Sequence, residues 1–220
     1  MSVRRVAPRP PEQPRLDLPP LLDTPADQVR AGDRREGERY ADDAFGETRL
    51  AGTTFTECVF DRVSLHEADL RGLHLAECRL LAVDAPELAV PRSGWRSVEV
   101  VGSRLGAVEA YESTWRTVEI ADSKIGYLNA RGSTWTDLRL RGCVVTDLDL
   151  SGARLTRVAL NGCRIGTLHV TGATFVDVDL REARLEAVEG LAGLAGAWVS
   201  ETQLSELAPL LADHLGIRVG

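Results

Sequence analysis

From Asp43 to Ala187 the chain keeps a five-residue register through 29 consecutive fives without an insertion. Its middle reads STWRT VEIAD SKIGY LNARG STWTD LRLRG CVVTD LDLSG, and the third residue of each five is apolar: Trp115, Ile120, Ile125, Ala130 and onward. A fixed short period settles architecture before any local propensity is weighed. An amphipathic helix spaces its apolar residues by three and four, and a half-buried strand alternates them. A period of five fits neither.

Within each five, the residue two before the centre is also apolar or small (Ser113, Val118, Ser123). A spacing of two puts both side chains on one side of a short extended segment. The residue two after the centre is glycine at Gly52, Gly72, Gly102, Gly132, Gly142, Gly152, Gly162 and Gly172. That is the second central position of a type II turn, which needs φ > 0. Pro86 and Pro91 each follow a centre directly, at the first central turn position, where a fixed φ is favourable. Each five is therefore a short strand and a turn of about 90°, and four fives close a square coil. Residues 43–187 make about seven coils, on the order of 35 Å of stacked strands at about 4.8 Å each. The two ends are open sheet edges and need covers.

The stretches LHEADLRGLHL (65–75) and TDLDLSGARL (146–155) resemble the tandem A-(D/N)-L-x-x pattern of the pentapeptide-repeat family. The resemblance implies an all-β fold, a right-handed quadrilateral β-solenoid. It also implies two properties seen in some members: binding to DNA gyrase by imitating duplex DNA, and a dimer through the C-terminal end.

The inward residue two before each centre alternates small and large, as in Ser93, Val98, Ser103, Val108, Ser113, Val118. Opposite sides of the square then match and adjacent ones differ. Trp95, Trp115 and Trp135 are centres twenty residues apart on one small-residue side, and should stack beside Ser93, Ser113 and Ser133. Read as a binding stripe they would be functional; as oversized residues beside undersized ones they are core, which is the reading adopted. Cys58 and Cys78 stack in the same way, as do Cys143 and Cys163. The two pairs fall on different sides, several coils apart, so they cannot converge on a metal. Their parallel Cβ vectors would strain a disulfide within either pair.

Residues 1–42 are read as a Pro-rich, largely disordered N-terminal arm. Seven of the ten prolines lie in its first 25 positions, and its eight arginines balance eight acids. Such composition buries too little apolar surface to offset ordering. Residues 1–14 are expected to be disordered, with Leu16, Leu18, Leu21 and Leu22 along the solenoid and Tyr40 and Phe45 closing its first coil. Residues 188–220 are read as an irregular last turn and a helical cap. Ser200 to Gln203 form a capping box, Leu204, Leu207, Ala208, Leu211 and Leu215 follow at helical spacing, and Pro209 should kink or divide the helix. Trp198, Leu204, Leu207, Leu211 and Leu215 are the candidates for the cap or for a homodimer contact.

No run of eighteen apolar residues occurs, so no membrane span is expected. The N-terminus lacks the apolar stretch of a signal peptide, and free thiols fit a cytoplasmic protein. His66, His74, His169 and His214 are scattered, without a paired-ligand spacing, and no phosphate loop or nucleophile elbow is present. No enzyme, cofactor or metal is expected. Net charge is −7, with 33 acids against 26 bases, which disfavours direct nucleic-acid binding. One side carries Arg104, Lys124, Arg164 and Arg184 in a column. The candidate acidic interaction residues are Glu99, Glu109, Glu112, Glu119 and Asp122, but arginines are interleaved with them. A duplex mimic should present unbroken negative potential. The function expected is therefore a rigid protein-binding scaffold, with modulation of DNA gyrase as the alternative.

Overall fold

The computed structural model describes residues 7–46, 50–66 and 68–218. Its strands run parallel and, between the two ends, each lies above the one twenty residues earlier: Trp115 lies between Trp95 and Trp135, and Leu128 between Val108 and Leu148. Twenty residues are four fives, so each side chain stacks on its equivalent in the neighbouring coil. We name the faces by their centres: Trp115 on face one, Ile120 on two, Ile125 on three, Ala130 on four. Faces one and two share an eight-residue strand such as Thr114–Ala121, which bends at Thr117 (φ 56°) and belongs to a 12-stranded sheet. Face three and the start of face four share a strand such as Lys124–Asn129, in a six-stranded sheet. Among the described residues no helix is long and apolar enough to cross a membrane.

The eight turn glycines have φ between 61° and 70°, as the type II geometry requires. At the corner between faces one and two the same left-handed conformation is held by Glu77, Ser97, Thr117, Asp137, Arg157 and Asp177. The corner after face three is built differently, around Gly106, Gly126 and Gly166. A Cβ on Gly106 would lie 2.1 Å from the Pro86 carbonyl oxygen, so successive backbones touch there.

A single apolar core runs from Ala26 to Ala183. Trp95, Trp115 and Trp135 are buried in it as a stack, with ring centroids 4.4 and 5.4 Å apart and planes within 10° and 5°. The indole N–H of Trp115 donates to Ser93 Oγ at 3.2 Å. The buried serines do more than leave room. Ser113 Oγ accepts the Ser93 N–H at 3.0 Å, Ser133 Oγ that of Ser113 at 3.1 Å, and Ser123 Oγ that of Ser103 at 3.0 Å. All four cysteines are free and buried. Cys58 and Cys78 adjoin on face two and Cys143 and Cys163 on face three. In each pair the hydrogen bond between the two thiols holds the first below the ordinary value and pushes the second above it.

The solenoid has about nine coils rather than seven, and it begins before residue 43. Arg34–Glu36 pairs with Thr54–Thr56, Glu38–Ala41 with Val59–Asp61, and Leu22–Asp23 with Glu38–Arg39. Tyr40 is buried against Phe45 and Phe60, with centroids 5.3 and 5.2 Å away. The pattern is obscured because inward positions of an end coil face outward along the axis. Arg35 stands where a centre should be and pairs with Glu38 at 2.9 Å, and Glu38 also accepts the Tyr40 hydroxyl. Ala26 and Val29, both buried, close this end, with the Ala26 N–H bound to Asp43 at 2.7 Å.

Residues 7–21 run lengthwise over the outside rather than away from it. The Arg9 guanidinium meets Asp177 at 2.7 Å, and the Glu12 N–H donates to Asp137 at 3.1 Å. Pro8 and Pro11 are buried and Pro14 half-buried, the three-residue repeat of a polyproline helix with one edge against a surface. Leu16, Leu18 and Leu21 are half-buried as expected, whereas Leu22 is exposed. Ordering is supplied by the solenoid wall, which a composition argument does not see. Residues 1–6 lie outside the described residues.

At the far end, Leu191–Leu194 form a 3-10 turn, and Ala197–Trp198 add a last pair of strand residues beside Val178–Asp179. Helix α1 (Glu201–His214) begins with the expected capping box: Gln203 N–H to Ser200 Oγ at 3.1 Å, and Ser200 N–H to Gln203 Oε1 at 2.7 Å. The Gln203 amide then donates to the carbonyls of Leu180 and Ala183, both at 2.7 Å, covering an open edge. Helix α1 is continuous through Pro209, so of the expected kink or division the division does not occur. That residue is on the exposed side, where the carbonyl freed one turn earlier, at Ser205, can meet water.

Candidate interaction surface

With side chains stacked every twenty residues, each face is a set of columns, and charge reads along the axis. The five candidate acids divide between opposite faces. Glu99 and Glu119 are register partners on face two, with Asp122 at the following corner. Glu109 lies on face four and Glu112 at the corner after it. Each is already engaged by a neighbouring coil. Glu99 pairs with Arg79 at 2.7 Å, Glu112 with Arg92 at 2.9 Å, and Glu119 and Asp122 with Arg141, each at 3.2 Å. Glu109 accepts from the Asn129 amide at 2.7 Å. The hydrogen bond that Arg141 donates to Glu119 and the field of Asp122 raise its guanidinium above the ordinary value.

Face three is the opposite case. Arg104, Lys124, Arg164 and Arg184 form one exposed column, interrupted by Val144. Beside it runs a trough of about 390 Å³ over the bare backbone of Gly106 and Gly126. Voids inside the core are small: about 20 Å³ among Phe45, Phe55 and Phe60, and about 10 Å³ around Trp95 and Trp115. Each has room for at most a water.

The corner of face one holds a site that composition did not announce. Asp137, almost fully buried, is gripped by Arg157 through two bonds of 2.6 and 2.7 Å and by the Glu12 N–H. The Arg157 hydrogen bonds hold its carboxyl below the usual carboxylate range. Arg9 does the same for Asp177. The signal for this contact was the spacing of Pro8, Pro11 and Pro14.

His169 lies between Asp147 (3.1 Å from Nε2) and Glu189 (3.0 Å from Nδ1). These carboxylates sit at opposite edges of one ring, so the three groups cannot converge on an ion. Among the described residues no group of three His, Cys, Asp or Glu is placed to hold a metal. On helix α1, Leu207 is buried and Leu211 half-buried, while Leu204 is 52% and Leu215 70% exposed. Trp198 is half-buried under the Arg181 guanidinium, 5.9 Å from its ring centre.

Residues 45–80 match the family model described as pentapeptide repeats, in eight copies. Among solved structures, the chain is similar to a trypsin-treated form of QnrB1, a plasmid-mediated fluoroquinolone resistance protein. Identity is 17% over 91% of this chain and 99% of that one, with a TM-score of 0.35. It is also similar to HetL, a pentapeptide repeat protein involved in heterocyst differentiation regulation from the cyanobacterium Nostoc sp. Here identity is 15% over 76% of this chain and 91% of that one, with a TM-score of 0.21. No curated protein matches the chain.

Proposed function

Because this chain is a pentapeptide-repeat protein, we propose that it acts as a non-enzymatic scaffold in the cytoplasm, holding a protein partner against one flat face of the rod. The carrying observation is the combination of a filled interior with outward columns fixed by register. The voids in its core have room for at most a water, and it offers its outer faces and shallow troughs to a partner. Four free, buried thiols fit a reducing compartment. The exposed Leu204 and Leu215 at the C-terminal end support a second copy of the chain as a contact there.

Photo-crosslinkers placed singly at Thr114, Glu119, Lys124 and Glu109, one per face, should capture one partner from one face. Equal capture from all four, or from none, would sink the scaffold reading. The duplex-mimic alternative has weaker support, since its acids are bound to arginines or an amide of neighbouring coils. In a gyrase supercoiling assay, with the dimer state followed by sedimentation, the protein should leave the rate unchanged at tens of micromolar. Inhibition at low micromolar levels would put mimicry in place of scaffolding.

A further inference from the structure

We infer that face three binds an acidic, extended segment of a partner protein, laid along the solenoid axis on Arg104, Lys124, Arg164 and Arg184. The inference rests on the scaffold reading and names the chemistry of its partner. Lys124 is the direct register partner of Arg104, and Arg184 of Arg164. Like charges set opposite each other in a sheet are destabilising. Among the described residues none of the four cations makes an ion pair, although arginines on faces two and four are matched across coils. Of the acids at the flanking corners, Asp122 is paired with Arg141 and Glu182 accepts from the Asn161 amide, while Asp147 faces the His169 ring and Glu87 stands in the coil before that of Arg104. Asp84 stands one coil before Arg104 in the ladder, and no ion pair joins them.

The fit is linear. From Arg104 to Arg184 is four coil rises, about 19 Å, the length of about six extended residues. Gly106, Gly126 and Gly166 leave the neighbouring strip bare at three coils, so a backbone can come close there, while Thr146 and, beside Arg184, Glu186 project from it. Val144, 42% exposed, stands between the two cation pairs and suits an apolar residue between acids. The protein's own arm displays the mode of binding: residues 7–21 lie along the axis, anchored to the carboxylates of Asp177 and Asp137. Face three carries the inverse charge for the inverse peptide. A double helix is broader than this face and would press phosphates against Asp122, Asp147 and Glu182, so a single acidic strand is favoured.

The test uses the full chain and a fluorescein-labelled peptide of six glutamates around a central leucine, followed by anisotropy. Binding should weaken with added salt. It should fall at least about tenfold in the double variant Lys124→Glu/Arg164→Glu, and hold in the face-one control Arg154→Glu, with circular dichroism confirming each fold. Absence of binding, equal binding by the double variant, or tighter binding of an oligothymidylate of the same charge would each overturn the inference. A partner crosslinked equally well by wild type and double variant would overturn it too, while leaving the scaffold standing.

Discussion

Ser113 works as a relay. The Trp115 indole donates to Ser93 Oγ, Ser93 Oγ donates to Ser113 Oγ at 3.0 Å, and Ser113 Oγ reaches the Val90 carbonyl at 3.2 Å. The same oxygen accepts the Ser93 N–H, a buried donor with no strand to pair with. Ser113→Ala should therefore destabilise by about 1–3 kcal/mol in denaturant unfolding, since it strands a buried N–H. Ser113→Cys should lose less, because thiols hold the corresponding positions at Cys143 and Cys163, where Cys143 Sγ reaches the Ile120 carbonyl at 3.3 Å. An alanine variant as stable as wild type would reduce these hydroxyls to space-fillers. The alternation of size was legible in the sequence. The hydrogen bonds were not, because serine, alanine and cysteine look alike to a volume argument and differ only when the coil beneath is in place.

A single coil is closed by two kinds of corner, and they should answer differently to the same change. Gly102 sits at φ 63° with open space around its missing Cβ, so Gly102→Ala bears only the left-handed backbone penalty, about 1–2 kcal/mol. Gly106 has an ordinary φ, but its Cβ would strike the Pro86 carbonyl at 2.1 Å. Gly106→Ala must move backbone and should lower the melting temperature more than Gly102→Ala does. The reverse order would mean that the face-three corner is looser than its geometry. Every five announces a turn, but the sequence does not say which corners turn through positive φ, because Glu, Thr, Asp and Arg also take that conformation here. The first coil was hidden for a related reason: Arg35 and Glu38 break the apolar rule at the one place, an end, where it relaxes.

For the molecule as a whole, the arm along the outside is the least legible feature, since its order depends on a wall built from residues more than a hundred positions away. Its attachment should depend on pH with a definite sign. The Asp137 carboxyl is held below its ordinary value in the folded state. Its contribution is complete above the unfolded value of about 4 and fades as pH falls through the folded one. A spin label at Ala7 should therefore be immobile at neutral pH and turn mobile as the medium is acidified below about pH 4. Asp137→Ala, which removes the acceptor of the Glu12 N–H, should raise the label's mobility already at neutral pH. A label that stays fixed in both would mean the arm is held by its prolines and leucines alone. Of the interaction surface, the sequence showed the columns but not their pairing, and pairing is what separates the spent acids of faces two and four from the open cations of face three.

A stack of coils in which each touches only its neighbours fails under tension wherever its weakest joint happens to be. This rod has a second member in parallel. The arm joins the first coil at Leu22 and Thr24, through the carbonyls of Gly37 and Arg39, and ends near the last coils at Asp177. The 13 residue steps from Arg9 to Leu22, about 40 Å if fully polyproline, cross about seven coil rises, or about 34 Å, with little slack. To pull adjacent coils apart in the middle, a load must stretch this strap as well. Rupture should thus begin where the strap is fastened by one exposed ion pair, at Arg9 and Asp177, and peel toward the first coil.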